Sequence, residues 1–279
     1  EGTPTHAYQV ERATFDKALL DNARRFGVEV REGVKVERVG LADDESPHEV
    51  HTDDGDFAAR YVIDATGRDR LLSKQNGSYE RVEGLGLAAV WAHFDGLKEE
   101  RRAEFEETGN IIILMLEEGW AWVIPLVGGR VSVGFVSAKK GVVSKDWWHE
   151  QYAASPFLQR MTEGATVSEL SLAGDYSYRN PRPFGPGWAS IGDAGGFLDP
   201  VFSSGVTLGM ASADELVMLL SPALASGSER DPSLLDSLGE KMKLAYAVFD
   251  GVLRSFYHTN FVDNLFFYDN PDPKLRAGL

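Results

Sequence analysis

The sequence has no cysteine, which excludes a disulfide framework, a thiolate metal site and a thiol nucleophile. Basic residues are in short supply: 28 lysines and arginines stand against 43 acids, a formal net charge of -15. A surface of that sign repels polyanions, which argues against nucleic acid or an anionic membrane as the main partner and serves solubility. Long hydrophobic runs are lacking as well. Residues 111–116 form one of the longest, far too short to span a bilayer, and no signal-like segment opens the chain; the expectation is a soluble, cytoplasmic protein with no membrane partner. His6, His48, His51, His93, His149 and His258 share no ligand spacing on one element, so no metal site is expected. Ser204 lacks a Gly-x-Ser-x-Gly frame, and no nucleophile elbow is present.

What is there is a glycine-rich stretch, Gly192-Asp193-Ala194-Gly195-Gly196-Phe197-Leu198-Asp199-Pro200-Val201-Phe202-Ser203-Ser204-Gly205-Val206. The apolar run at 188–191 reads as a short buried strand, so Asp193 falls at its carboxyl end, where α/β sheets bind ligands. Ser203, Ser204 and Gly205 then open a helix to about Leu220, with Val206, Leu208, Met210, Leu216, Val217 and Leu220 as its apolar contacts. A helix start offers free backbone N–H groups and a positive dipole end, a place for something anionic. Taken alone, Asp193 reads either as a turn cap among packing glycines or as the acid of a turn for a polyhydroxylated, phosphate-bearing cofactor.

At 279 residues the chain is long enough for one large domain or two small ones. Residues 8–16 lead into a helix with Phe15, Leu19, Leu20, Ala23 and Phe26 at helical spacing, ended by Gly27. Segments 28–30 and 34–39 read as strands, Asp53-Asp54-Gly55-Asp56 as a hairpin turn, and 60–68 as a buried strand running into a small-residue loop. From about Ser78 the pattern becomes alternating β, at 87–94, 111–116, 120–125 and 131–136, with Gly128-Gly129 as a two-residue turn before the last. Residues 231–257 read as a long amphipathic helix. The aromatics Trp147, Trp148 and those at 256–268 read as core or tunnel lining, and no internal repeat is evident.

Four segments in order, together with the 192–206 stretch, resemble flavin-dependent halogenases of the FAD monooxygenase superfamily. The 192–206 stretch resembles their second FAD motif. Residues 8–16 resemble the segment whose Arg, here Arg12, contacts the cofactor; Gly33-Val34-Lys35-Val36 resembles the strand whose last Val touches adenine; Asp64-Ala65-Thr66-Gly67 resembles the loop beside the ADP moiety. Trp120-Ala121-Trp122-Val123-Ile124-Pro125 resembles the Trp-x-Trp-x-Ile-Pro motif that separates halogenases from most other flavin monooxygenases. Same-face strand aromatics are otherwise core residues, so Trp122 stands as a candidate for active-site lining beside that plainer reading.

The resemblance implies an α/β fold: a Rossmann-like, glutathione-reductase-type FAD domain at 1–76 and 177–222, an inserted antiparallel-sheet substrate domain at 77–176, and C-terminal helices at 223–279. It implies FAD ligands at Arg12, Val36, Thr66, Gly67, Gly192, Asp193 (to the ribityl chain), Pro200, Gly205 and Val206, and chloride or bromide on the amides of Ser204 and Gly205. The implied activity is oxidation of halide through a peroxyflavin, FADH2 coming from a separate flavin reductase, to halogenate an electron-rich aromatic. Phe202 stands where enzymes acting on free tryptophan often have Glu, which leans toward phenolic or pyrrolic substrates, in some branches carrier-protein-bound. A hydroxylase or geranylgeranyl-reductase-like enzyme of the same superfamily, and a flavoprotein fragment without turnover, are the alternatives.

One expected element is missing. Such proteins begin with a strand, a Gly-x-Gly-x-x-Gly turn and a helix; the nearest match here, Gly84-Leu85-Gly86-Leu87-Ala88-Ala89, precedes a strand. The chain is therefore expected to be a carboxyl-terminal portion, with roughly a hundred residues preceding it. The family's active-site lysine is expected upstream too, since Lys17, Lys35 and Lys74 fall in the wrong segments.

Overall fold

The computed structural model describes residues 7–85, 88–174 and 176–258. His6, Gly86, Leu87 and the aromatics beyond residue 258 lie outside these. The described residues fall into two compact units, one drawn from Glu1–Gly33 and Gly86–Asp175, the other from Val34–Leu85 and Tyr176–Leu279. The fold is mixed α/β, as the resemblance implies.

In the first unit the alternating stretches form one antiparallel sheet, in the order Thr166–Val167, Ala88–Asp95, Arg130–Ser137, Gly119–Leu126, Ile112–Leu116, with Ser171–Gly174 also pairing Ala88–Asp95. Period-two alternation sends Val90, Ala92, Phe94, Val123, Val131, Val133 and Phe135 to one buried face. Against that face lie Phe105, Trp147, Trp148, Leu158 and Met161, from helices Glu99–Thr108, Lys145–Ala153 and Pro156–Met161. Trp148 stacks on Tyr152 with centroids 5.0 Å apart, so the tryptophan pair is core. Each such side chain contributes about 1.5–3 kcal/mol by leaving water.

Three details differ from the sequence reading. Residues 28–30 are not a strand: the chain leaves the first helix, Arg12–Arg25, through Gly27 at φ +84°, and the Val28 amide is bonded to Ala23 O as part of the helix end. That helix buries none of its residues, and Leu19 and Phe26 are exposed. Leu126 pairs with Arg130, so the loop there is Val127-Gly128-Gly129 rather than two residues, with both glycines at positive φ. Helix Glu99–Thr108 is almost wholly polar and anchored by Phe105 alone, which leaves no apolar period to read.

The second unit holds a three-stranded antiparallel meander, Val36–Gly40, His48–Thr52 and Gly55–Ala59, turning at Asp53-Asp54. Its Val62–Asp64 strand pairs parallel with Trp188–Ser190. Helix Gly205–Ser226 packs Leu216 and Leu220 on Ala189, joined by Leu235 and Leu238 from the region of the last helix, Asp236–His258. By length and composition Gly205–Ser226 could cross a membrane. One stripe of it packs on the rest of this unit through Leu216, Leu220 and Ala223. Its apolar face is narrower than expected: Leu216 and Leu220 are buried, whereas Val206, Met210 and Val217 are exposed.

His48 is fully buried in the meander, and its Nδ1 accepts from Ala42 N at 3.0 Å. The ring therefore carries its proton on Nε2, beside Gly187, where a Cβ would come within 2.3 Å. Burial, then the nearby Arg230 guanidinium, holds the imidazole below its ordinary value of 6.5. The unfolded chain takes up this proton more readily than the folded one, so this contribution is undiminished above pH 6.5 and is lost as pH falls through the depressed folded value. Thermal unfolding of wild type should shift downward between about pH 7 and 5, and His48→Asn, which keeps an acceptor for Ala42 N, should lose part of that pH dependence.

Candidate functional site

The parallel pair places Asp64 opposite Ser190, so both strands deliver acid-glycine loops at the same, carboxyl, end. Asp64 is 3 % exposed and fully used. Its Oδ1 accepts from Thr66 N at 2.9 Å and Thr66 Oγ1 at 2.6 Å, and its Oδ2 accepts from Leu72 N at 2.8 Å. Thr66 Oγ1 in turn accepts from Leu71 N at 3.0 Å. The loop from Asp64 to Leu72 is thus tied to one carboxylate, and it accommodates Gly67 at φ +59° and Arg70 at φ +54°.

The turn Gly192–Ala194 follows the partner strand and touches the turn Gly67–Asp69. Gly192 has φ +57°, and a Cβ on it would meet Gly209 Cα at 3.7 Å, so glycines on both sides let the helix pass close to the turn. Ser203 sits at φ +52°, a left-handed residue just before the helix. Ser204 makes no side-chain cap, and the first intrahelical bond runs from Leu208 N to Ser204 O. The amides of Gly205, Val206 and Thr207 therefore have no partner within the helix.

Asp193, Ser204 and Gly205 line a small recess with Phe197, Phe202, Leu208, Phe249 and Leu253. Two tyrosines brace its walls: the buried Tyr178 donates its OH to Asp193 O at 2.6 Å, and the half-buried Tyr246 donates its OH to Gly196 O at 2.8 Å. Burial first, then the charge of Asp193, pushes both phenols far above their ordinary 10.0, so they stay neutral donors throughout the physiological range. The guanidinium of Arg70 lies 4.3 Å from the Tyr178 ring centre.

The second unit therefore gathers Thr66, Gly67, Gly192, Asp193, Pro200, Ser204, Gly205 and Val206 on adjoining loops. Val36 is on the meander, whose Val39 is held by Gln75 through bonds of 3.0 and 2.6 Å. Arg12 and Trp122 belong to the other unit. Arg12 is exposed and paired to Asp16 by two 2.9 Å bonds. Trp122 lies on the sheet face opposite the main core, its indole donating to Ser132 Oγ at 3.1 Å and 6.3 Å from the Trp91 ring. Gly134 makes room for it: a Cβ there would stand 2.1 Å from the indole. Asp64 and the tyrosines were not singled out from sequence. The Asp-x-Thr spacing of a side-chain-capped turn marks Asp64, whereas nothing local marks the tyrosines.

The family model described as tryptophan halogenase matches residues 2–276. The chain belongs to that family. A flavin-dependent halogenase of Armillaria mellea is 30% identical over 92% of this chain and 56% of its own length. A tryptophan 2-halogenase of Chondromyces crocatus is 33% identical over 75% of this chain and 42% of its own. A 1H-pyrrole-2-carbonyl-[peptidyl-carrier protein] chlorinase of Pseudomonas fluorescens is 28% identical over 74% and 49%. Among solved structures, the flavin-dependent halogenase CmlS superposes with a TM-score of 0.79 at 27% identity, over 99% of this chain and 51% of that one. A flavoprotein/dehydrogenase from Cytophaga hutchinsonii gives 0.81 at 25% identity, over 96% and 66%. The chain thus spans about half the length of the halogenases it matches.

The donor set suits the ribityl and ring end of a flavin. It offers an acid in a glycine turn, helix-start amides without internal partners, and apolar walls from Phe197 and Phe202. Asp64→Ala strands the buried Leu72 amide, removes the tie to the exposed Thr66, and should cost about 2–4 kcal/mol in urea unfolding. Asp64→Asn, which can still accept at one oxygen, should cost less.

Proposed function

We propose that the full-length protein is an FAD-dependent halogenase acting on an electron-rich aromatic compound, with chloride or bromide as halide donor. The observation that carries this reading is the pairing of two acid-glycine loops with the open start of helix Gly205–Ser226, in a chain of the halogenase family. FAD, reduced by a separate flavin reductase, would activate O2, and O2 is the two-electron oxidant that takes halide to the hypohalous level. Asp193 accepts a ribityl hydroxyl; Thr66 and Gly67 flank the ADP part; Gly192 and Pro200 let the backbone approach. The amides of Gly205 and Val206 face the pyrimidine edge, and those of Ser204 and Gly205 hold the halide. Phe197, Phe202, Phe249 and Leu253 keep water from that recess. The resemblance further assigns Arg12 and Val36 as cofactor contacts and Trp122 as substrate-side lining.

The proposed substrates are phenolic or pyrrolic, free or carrier-bound. Phe202 supports this, as does similarity to the pyrrole chlorinase. The likeness to a flavoprotein/dehydrogenase favours a second reading, a flavin oxidoreductase without halide chemistry. Supplied with FAD, a flavin reductase, O2 and bromide, the full-length protein should give products with the bromine isotope doublet in mass spectrometry. Flavin turnover driven by NAD(P)H without halide, and no brominated product from phenols, pyrroles or carrier-bound pyrrole, would select the second reading. Asp193→Ala should weaken FAD binding by about ten- to a hundredfold, measured by flavin fluorescence titration.

A further inference from the structure

We propose that Tyr257 is a positioning residue: through the buried carboxylate of Asp199 it holds the Pro200–Gly205 turn and so aims the helix-start amides at their anion. This rests on the flavin-and-halide reading of the recess. Asp199 is 4 % exposed, and its two oxygens face opposite ways along the chain of contacts. Oδ1 accepts from Val201 N at 3.0 Å, and Oδ2 accepts from Tyr257 OH at 2.9 Å. One carboxylate thereby bridges the turn to the last helix, 58 residues away in sequence.

The turn needs such a tie. It contains Ser203 at φ +52°, a conformation unfavourable for a residue with a Cβ and retained only where surroundings impose it. Within the turn itself, Ser203 N donates to Pro200 O at 2.9 Å, and just before it Ser177 Oγ donates to Leu198 O at 2.5 Å. The last helix contributes the rest from one face. Tyr246, Phe249, Leu253 and Tyr257 fall at helical spacing, with the first three lining the recess, and Phe202 meets Phe256 edge-on at 6.2 Å. Without the phenol, Asp199 loses its bond to the last helix. The carboxylate is then free to shift toward its other donors and away from Val201 N, and the turn relaxes away from the strained Ser203 geometry.

The test uses the full-length protein loaded with FAD, comparing Tyr257→Phe and Asp199→Asn with wild type. Bromide is titrated against the flavin absorbance spectrum, and backbone amide exchange is followed by mass spectrometry over residues 199–206. Tyr257→Phe should speed exchange at the Val201 amide by about tenfold and raise the bromide Kd by about three- to tenfold, with FAD affinity within about twofold. Asp199→Asn should stay near wild type in both, since an amide can accept from Val201 N and donate to the phenol oxygen. Unchanged exchange in Tyr257→Phe overturns the positioning role. Faster exchange with unchanged bromide affinity overturns the link to the anion site, and a parallel loss of FAD affinity marks a merely structural contact. If wild type binds FAD but no bromide, the halogenase reading fails, while the exchange data still decide what Tyr257 does to the turn.

Discussion

The parallel register between Val62–Asp64 and Trp188–Ser190 is the constraint on which the candidate site depends. Parallel strands deliver their following loops to the same end, and in this register Asp64 and Ser190 finish side by side. One loop is organised by a buried carboxylate that accepts from Thr66 and Leu72; the other turns through Gly192 and carries Asp193 outward toward the recess. A slip of one residue would exchange the buried and exposed faces of both strands and remove Asp64 from the amides it satisfies. The two acids divide the labour: Asp64 consumes its acceptors inside its own loop, while Asp193 lines a cavity.

The start of helix Gly205–Ser226 is kept open by small residues. Glycines at 192 and 209 allow close approach, and Ser204 leaves the cap unfilled. A side chain at Gly192 would need a left-handed backbone, φ +57°, and its Cβ would lie in contact with Gly209 at 3.7 Å. The recess is closed on its far side by the last helix, whose tyrosines use hydroxyls rather than charge. Burial keeps the Tyr246 phenol neutral, so its bond to Gly196 O does not titrate under physiological conditions.

Much of this was legible because local chemistry carried it. Gly192-Asp193 after an apolar triplet, Ser203-Ser204-Gly205 before a helical period, and Asp53-Asp54-Gly55 between strands are patterns in which residue type and backbone geometry coincide. Legibility failed where the local signal was weak or its cause distant. Helix Glu99–Thr108 offers only Phe105 to a core; residues 28–30 look like a strand by composition, yet the Val28 amide closes a helix end. The exposed face of helix Gly205–Ser226 was read as packing because apolar residues at helical spacing do not say which of them is covered.

By itself the sequence determined the absence of thiol chemistry and the residues of the second acid-glycine turn, which follow from residue type and short-range spacing; the fold class and the family came through the resemblance of its ordered motifs to flavin-dependent halogenases. Only the tertiary structure decided that Asp64 is the anchor of the first loop, that the two loops share one end of a parallel pair, and that Tyr178, Tyr246 and Tyr257 hold the second loop in place. The physical reason is range. A turn or helix start is set by neighbours a few residues apart, whereas the hydrogen bond from Tyr257 to Asp199 spans 58 residues and exists only once both strands and the last helix have packed.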